Sequence, residues 1–184
     1  MRIVSGKYKG RTIQPPHNLR ARPTTDFAKE NLFNVLGNRV DFEGLDVLDL
    51  FAGTGSIGYE FASRGAASVT SVEVNGVHHR FIQNTAKSLG MDNFYAVRAN
   101  AFLYVKGCKK QFDLIFADPP YDIRGSEELP DLIFSAGLLR EDGLLVLEHS
   151  KNMDFSAHPK FCGTRSYGSV HFSFFTNFPE KFAE

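Results

Sequence analysis

Short apolar runs alternate with longer amphipathic segments through most of the chain. Runs of four to six residues rich in Val, Leu, Ile and Phe are typical of buried strands. They predict five strands, at residues 46–50, 69–73, 94–98, 114–117 and 144–148. Helices are predicted among them at about residues 56–64 and 76–89. Strands that alternate with helices at this spacing indicate an α/β fold with a parallel, doubly wound sheet.

The N-terminal region departs from this alternation. Residues 2–4 and 11–13 predict two short strands of a hairpin, because single apolar residues alternate with polar ones around Gly6 and Gly10. A helix is predicted at about residues 26–36, with a threonine as its N-cap and Gly37 ending it. Its apolar residues predict the face that docks on the main domain: Phe27, Leu32, Val35 and Leu36.

The C-terminal region departs from it as well. Residues 161–167 and 170–176 are rich in β-forming residues, and only Gly168 and Ser169 separate them. This pattern predicts an antiparallel hairpin at the edge of the sheet. Phenylalanines at 172, 174 and 175 are predicted to pack in the core rather than to stack on bases.

A glycine-rich turn follows the first predicted strand. Gly53, Gly55 and Gly58 have the G-x-G-x-x-G spacing, which lets the backbone approach a ligand closely and points a helix N-terminus at it. Glu73 ends the next strand, 20 residues after Gly53, where a carboxylate can accept both hydroxyls of a ribose. The chain is therefore predicted to bind a cofactor that contains adenosine.

The acid before this turn discriminates between cofactors. Asp49 lies four residues before Gly53, and a carboxylate there would repel the pyrophosphate of a dinucleotide. It suits a cationic ligand, such as the amino group or sulfonium of S-adenosylmethionine. We therefore favour a methyl donor over a nicotinamide cofactor at this turn.

A second motif, Asp118-Pro119-Pro120-Tyr121, closes the fourth predicted strand. Proline fixes φ, lacks an N–H and disfavours the helical region for the residue before it. Asp118 is therefore held extended, with rigid carbonyl groups beside it and the Tyr121 ring just beyond. This set of acceptors and an aromatic face suits a flat molecule that offers an N–H₂ group, such as a nucleobase.

Together these motifs resemble those of the class I S-adenosylmethionine-dependent methyltransferases that modify exocyclic amino groups. More narrowly, the chain is similar to the bacterial RsmD family, the 16S ribosomal RNA guanine-N2 methyltransferases. The matching stretches outside the cofactor motifs are residues 2–11, 22–25, 30–36 and 147–149. The resemblance implies a Rossmann-like, mostly parallel seven-stranded sheet with a C-terminal antiparallel hairpin and an N-terminal extension. It also implies methylation of a guanine (position 966 in the family's naming) in 16S ribosomal RNA or a small-subunit assembly intermediate.

The resemblance assigns roles to individual residues. The predicted catalytic residues are Asp118, Pro119, Pro120 and Tyr121. The predicted cofactor-binding residues are Asp49, Phe51, Gly53, Gly55, Glu73, Asn100, Ala101 and Asp118. Relatives usually have an acid at the position of Asn100, so the bond to the adenine amino group should be weaker here. Asn100 also fits a helix N-cap, and His149 fits a structural histidine better than a pocket residue.

The net charge of zero conceals an asymmetry along the chain. Residues 1–25 contain six basic residues and no acid, so the remainder carries a charge of −6. A basic arm on an acidic body is typical of a protein that binds a polyanion from one side. We therefore predict an RNA-binding extension at residues 1–40 and a donor-binding domain at residues 41–184. The predicted RNA-binding residues are Arg2, Lys7, Lys9, Arg11 and Arg22.

Composition bears on disulfide bonds, metal sites and cellular location. Cys108 and Cys162 are too few for a disulfide framework or a metal site, and no metal is expected. No leader-like apolar region or membrane-length run occurs, so we expect a cytoplasmic monomer. Three alternatives remain: a DNA adenine-N6 or cytosine-N4 methyltransferase, a nicotinamide oxidoreductase, and a non-catalytic RNA-binding module. The chain lacks room for a DNA target-recognition domain. Asp49 and the turn at residues 118–121 argue against the oxidoreductase, and the intact set of acids and glycines argues against the non-catalytic module.

Overall fold

A computed structural model describes residues 1–19 and 24–182. A single seven-stranded sheet runs through it in the order β3-β2-β1-β4-β5-β7-β6. Its strands are β1 Asp46–Leu50, β2 Ser68–Glu73, β3 Phe94–Arg98, β4 Phe112–Ala117, β5 Leu139–His149, β6 Phe161–Tyr167 and β7 Val170–Thr176. The first five strands pair in parallel, whereas β7 pairs antiparallel with both β5 and β6. This is the Rossmann-like α/β fold that was predicted, with its C-terminal hairpin at the sheet edge.

Five helices cover the sheet in the described part of the chain: α1 Asp26–Gly37, α2 Ser56–Ser63, α3 Gly76–Ser88, α4 Ala101–Gly107 and α5 Leu129–Ser135. Residues of α1, α2 and α3 share one hydrophobic cluster with one face of the sheet. Residues of α4 and α5 share the second cluster with the opposite face. The fold is thus three layers. Helix α5 was not predicted, and the only sequence signal for α4 was Asn100 as a possible N-cap. None of the helices among the described residues has the length and hydrophobicity to cross a membrane.

The N-terminal arm, residues 1–13, differs from the predicted hairpin. One isolated antiparallel bridge, Arg2 to Thr12, stands where two short strands were expected. The strand pairing stops because the backbone N–H groups of Val4 and Ser5 donate to the Glu60 carboxylate of α2 instead, each at 3.0 Å. Ile3 is buried in the cluster that contains α1 and α2, so the arm is packed against the main domain.

The docking face of α1 also differs from the prediction. Leu32 and Leu36 are buried as expected, but Phe27 is 64% exposed. The buried face includes Ala28, Lys29 and Phe33 instead, because Lys29 finds an acidic partner beneath the helix. The prediction that Phe27 docks on the domain was therefore wrong. The three phenylalanines of β7, at 172, 174 and 175, are buried as predicted.

Candidate active site

A cavity of about 650 Å³ opens at the carboxyl ends of the parallel strands. This edge is where open α/β sheets bind their ligands, and the volume is in the usual range for small-molecule sites. The structure brings together around it the predicted residues Asp49, Phe51, Gly53, Glu73, Asn100, Ala101, Asp118, Pro119, Pro120 and Tyr121. Four carboxylates, contributed by Asp49, Glu73, Asp118 and Glu148, make its lining acidic.

The loop from β1 to α2 shapes one wall of the cavity. Gly55 has a φ of +83°, which disfavours any residue with a side chain. A Cβ there would also lie 2.7 Å from the ring of Tyr59, which is too close. The Gly55 N–H donates to the Ala52 carbonyl at 2.8 Å, which closes the turn. Gly55 is the N-cap of α2 and does not itself line the cavity. Phe51, with a φ of +57°, is also left-handed, and its ring packs edge-on against Phe102.

Glu73 holds this loop at the end of β2. One carboxylate oxygen accepts the N–H of Gly53 and the other accepts the N–H of Asn75, both at 2.8 Å. The side chain is therefore fixed in place at the cavity wall before any ligand arrives. A carboxylate so positioned can still accept further hydrogen bonds, because its two oxygens offer about four lone-pair sites.

Asp49 is fully buried at the end of β1. Burial raises the pKa of its carboxyl to about 7; the Ser71 hydroxyl, which donates to it at 3.4 Å, partly opposes that shift, and the charge of Glu73 adds to it. A buried carboxyl with a raised pKa is stabilised as the anion by a cation placed beside it. Asp49 is therefore suited to a positively charged ligand in the cavity.

The turn after β4 lines the cavity beside the end of β1, because β4 and β1 are adjacent strands. Asp118 N–H donates to the Leu50 carbonyl at 3.4 Å, which keeps the turn next to the end of β1. Burial, followed by the charges of Glu148 and Asp49 and a hydrogen bond to Glu148, holds the pKa of the Asp118 carboxyl well above its usual range. Tyr121 presents its ring at the cavity mouth and is 54% exposed. An acceptor and an exposed aromatic face thus lie side by side.

Asn100 and Ala101 lie at the third strand end of the cavity. The Asn100 side-chain oxygen accepts the Leu103 N–H at 3.1 Å, so the residue is the N-cap of α4. The N-cap interpretation is therefore confirmed. The same oxygen retains a second lone pair, so capping does not prevent it from accepting a ligand amino group.

Several lining residues were not predicted as site residues. Phe27, Thr24 and Thr25 reach the cavity from the N-terminal region, and the turn from Tyr167 to Val170 reaches it from the C-terminal hairpin. The rings of Phe27 and Tyr167 pack edge-on, with centroids 6.5 Å apart. Glu148 joins them at the end of β5. Glu148 could have been predicted as a lining residue from the sequence, because it follows an apolar run at the end of a predicted strand.

His149 has the structural role that the sequence favoured. Its Nδ1 lies 2.8 Å from the Ser150 carbonyl and therefore donates to it, and its Nε2 lies 2.7 Å from the Ser173 hydroxyl. Burial lowers the pKa of the ring, which favours this neutral tautomer. Both nitrogens are thus satisfied inside the protein, and the residue does not line the cavity.

The basic residues of the N-terminal arm do not line the cavity. Lys7 N–H donates to the carbonyl of Ser63, the last residue of α2, at 2.7 Å. Helix α2 begins at the cavity and has eight residues. At a rise of about 1.5 Å per residue, the tip of the arm therefore lies about 12 Å from the cavity. Lys7, Lys9 and Arg11 are exposed there, and Arg2 pairs with Glu30 at 3.6 Å. Arg22 lies outside the described residues.

Comparisons with known proteins agree with this geometry. The family model described as conserved hypothetical protein 95 matches residues 1–176. The ribosomal RNA small subunit methyltransferase D of Escherichia coli K12 is 34% identical over 80% of this chain and 74% of its own. A solved structure described as putative methyltransferase yhhF from Escherichia coli superposes with a TM-score of 0.82 at 28% identity, covering 95% of this chain and 96% of that one.

A more distant structure shares the fold. The 16S rRNA N2 G1207 methyltransferase RsmC of Thermus thermophilus, solved with AdoMet and guanosine, has a TM-score of 0.69 at 20% identity. The match covers 85% of this chain and 44% of that one. The family match over nearly the whole chain and the cavity at the expected sheet edge lead to one assignment. The chain belongs to the RsmD family of S-adenosylmethionine-dependent small-subunit ribosomal RNA methyltransferases.

Proposed function

We propose that this protein transfers a methyl group from S-adenosylmethionine to the exocyclic N2 of a guanine in 16S ribosomal RNA, at the family's position 966. The observation that carries the proposal is the placement of Asp118 and Tyr121 in the same cavity as the Glu73-bound glycine loop. That arrangement puts an acceptor for an amino group and a face for a base next to a site for a cationic adenosine ligand.

The donor half of the cavity is formed by the β1 and β2 ends. Glu73 would accept the ribose hydroxyls, Asn100 the adenine amino group, and Asp49 would stabilise the positive charge. Phe51 and Ala101 supply apolar surface between them. S-adenosylmethionine supplies an activated methyl group on a cationic sulfur. The residues present fit such a donor, because the acids at both ends of the site complement its polar groups and charge.

The acceptor half is formed by the turn after β4. The lone pair of guanine N2 is delocalised into the ring, so N2 is a weak nucleophile. Positioning N2, the methyl carbon and sulfur in line can supply up to roughly 7–11 kcal/mol. Asp118 and the Pro119 carbonyl would accept the N2 hydrogens, and Tyr121 would stack on the base after it leaves its neighbours. As the C–N bond forms and the C–S bond breaks, one N2 proton passes to the Asp118 carboxylate.

The basic arm belongs to the same proposal. Lys7, Lys9 and Arg11 lie beyond the cavity, at a distance suited to phosphates that flank the target nucleotide rather than to the target itself. Arg2, nearer the cavity, would contact phosphates closer to the target, and Arg22 is assigned with it from the sequence alone. We propose that residues 1–40 provide this RNA-binding surface, and that the protein acts as a cytoplasmic monomer on RNA or on an assembly intermediate.

The test is the chemical identity of the product. The protein is incubated with isotopically labelled S-adenosylmethionine and either naked 16S RNA or small-subunit particles that lack the modification, and the RNA is digested to nucleosides. Mass spectrometry should find the label in N2-methylguanosine. Label in N6-methyladenosine or N4-methylcytidine, or no incorporation with either substrate, would overturn the proposal. The comparison of RNA with particles identifies the form that the enzyme accepts.

A further inference from the structure

Two acids stand side by side in the acceptor half of the cavity. Ala117 of β4 pairs in register with Leu147 of β5, and the residues that follow them are Asp118 and Glu148. Both line the cavity, and Glu148 is only 5% exposed. The two carboxyl groups are close enough for Glu148 to contribute to the raised pKa of Asp118. A ligand group that approaches Asp118 is therefore also within reach of Glu148.

We propose that Glu148 selects guanine by accepting the ring N1–H, while Asp118 accepts the hydrogen of the neighbouring N2 amino group. This inference rests on the proposed function and adds a specificity-determining residue to it. Glu148 acts on the edge of the base next to the methylated nitrogen, and its role is recognition rather than methyl transfer.

The chemistry of the bases supports this assignment. Guanine presents two adjacent donors on its Watson–Crick edge, N1–H and N2–H₂. Adenine and cytosine present an amino group beside an unprotonated ring nitrogen, which is an acceptor. A carboxylate pair, which offers acceptors at both positions, complements guanine and repels the ring nitrogen of the other two bases. The site thus discriminates between the guanine and the adenine or cytosine alternatives.

The shared proton is compatible with this role. The contact between the two carboxyl groups is stable only if one of them is protonated, because two adjacent buried anions repel each other. A protonated carboxyl still accepts through its carbonyl oxygen. When guanine enters, its two N–H groups replace the proton as the donors that satisfy the pair, and the proton is released to solvent before methyl transfer.

A structural role for Glu148 is the competing explanation. Its Oε2 accepts the Thr24 hydroxyl at 3.5 Å, which links β5 to the N-terminal region. The two roles make different predictions. A structural tie affects all substrates alike, whereas a recognition role changes the preference between bases. The experiment must therefore measure a ratio of rates.

The experiment uses two synthetic RNAs that differ at one nucleotide, the guanine mapped as the methylated position. The second RNA carries 2-aminopurine there, which keeps the N2 amino group but has an acceptor at N1. The wild-type protein should prefer guanine. In Glu148→Gln the amide N–H₂ can donate to that acceptor, so the guanine-to-aminopurine ratio of kcat/KM should fall by roughly tenfold or more. Donor affinity, measured by calorimetry, should be unchanged.

Two further variants keep the test decisive. Thr24→Val removes the hydroxyl bond to Glu148 but leaves the carboxylate, so the base preference should remain that of the wild type. Glu148→Asp keeps the charge on a shorter side chain, so the rate should fall while the preference for guanine persists; this variant serves if Glu148→Gln does not fold. An unchanged ratio in folded Glu148→Gln, or a ratio that shifts equally in Thr24→Val, overturns the inference. Failure of the wild-type protein to methylate the guanine RNA would instead overturn the proposed function.

Discussion

Lys29 and Glu60 face each other in the protein interior, with Nζ 3.6 Å from Oε2 and with 1% and 0% of their side chains exposed. Burial lowers the pKa of Lys29, and the Glu60 charge opposes that shift. Glu60 also accepts Arg64 Nε at 3.0 Å and the two N–H groups of the arm. One carboxylate thus joins α1, α2 and the N-terminal arm.

Removing this carboxylate should destabilise the protein strongly. Glu60→Gln leaves the buried Lys29 ammonium with only the partly exposed Asp26, 4.0 Å away, as a charge partner. Breaking a buried ion pair costs about 3–5 kcal/mol of unfolding free energy. The exposed pair Arg2–Glu30 is the control, because Glu30→Gln should change stability by less than about 1 kcal/mol. Urea denaturation of both variants measures the difference. Equal stabilities for the two variants would show that the buried pair contributes no more than a surface pair.

Asp49 should make stability depend on pH. The unfolded carboxyl titrates near 3.8 and the folded one at about 7, so between these values the folded state holds a proton that the unfolded state has lost. Stability from this group is therefore present below about pH 4 and is lost as pH rises to about 7. Asp49→Asn should not lose this stability, so its free energy of unfolding relative to the wild type should be higher at pH 7.5 than at pH 4, by up to a few kcal/mol. Denaturation at a series of pH values tests this, and a constant difference between variant and wild type contradicts it.

The same group should control donor binding. Affinity for S-adenosylmethionine should rise as pH increases through about 7, because Asp49 becomes an anion beside the cationic ligand. Asp49→Asn should bind more weakly and lose most of that pH dependence. Asp46→Asn is the matched control, since Asp46 lies on the same strand but pairs with Arg140 at 2.8 Å, away from the cavity. Calorimetry across pH 6 to 8.5 gives both affinities.

Asp118→Asn should lower turnover far more than donor affinity. The amide keeps the shape of the turn but cannot take the N2 proton, and a loss on the order of a hundredfold in kcat is expected. The raised pKa of Asp118 gives the direction of the pH profile: activity in the wild type should increase as the carboxyl ionises, and the variant should lack that limb. Near-normal turnover of the variant on its RNA would show that Asp118 is structural.

The arm should carry RNA affinity without affecting the donor. Replacing Lys7, Lys9 and Arg11 with alanine removes three contacts, each worth about 0.7 in the slope of log affinity against log salt for single-stranded sites. The slope should flatten by roughly 2. Alanine at Lys106 and Lys109, which are exposed at and after the end of α4, is the control. If the triple variant keeps its affinity and slope, the arm only stabilises the fold and RNA binds elsewhere, around residues 121–124.

The parts of the site that were predictable are those fixed by local backbone chemistry. The glycine turn, Glu73 at a strand end and the proline-stiffened turn after β4 each depend on a few consecutive residues, and the parallel sheet brings their ends to one edge. Predicted strand positions in the sheet agreed for the same reason, except that β5 begins five residues earlier than predicted, at Leu139.

The features that were missed depend on distant partners. Lys29 is buried beside Glu60, which lies 31 residues further along the chain but 3.6 Å away in space, whereas Phe27 is exposed. The predicted strands of the arm are reduced to one bridge by the same carboxylate. Glu148 acquires its significance only from the register of β5 with β4. No local pattern encodes these tertiary contacts.

Attachment of the arm to α2 has a consequence for exchange of its amide hydrogens. The N–H groups of Val4 and Ser5 donate to Glu60, and those of Lys7 and Tyr8 donate to Ser63, across separations of at least 55 residues. These four amides should exchange together, in one sub-global opening in which the arm detaches from the helix. Since the glycine loop forms the N-terminal end of that helix, a bound donor that steadies α2 should slow their exchange. Occupancy of the methyl-donor site should then be detectable as slower amide exchange at the tip of the N-terminal arm.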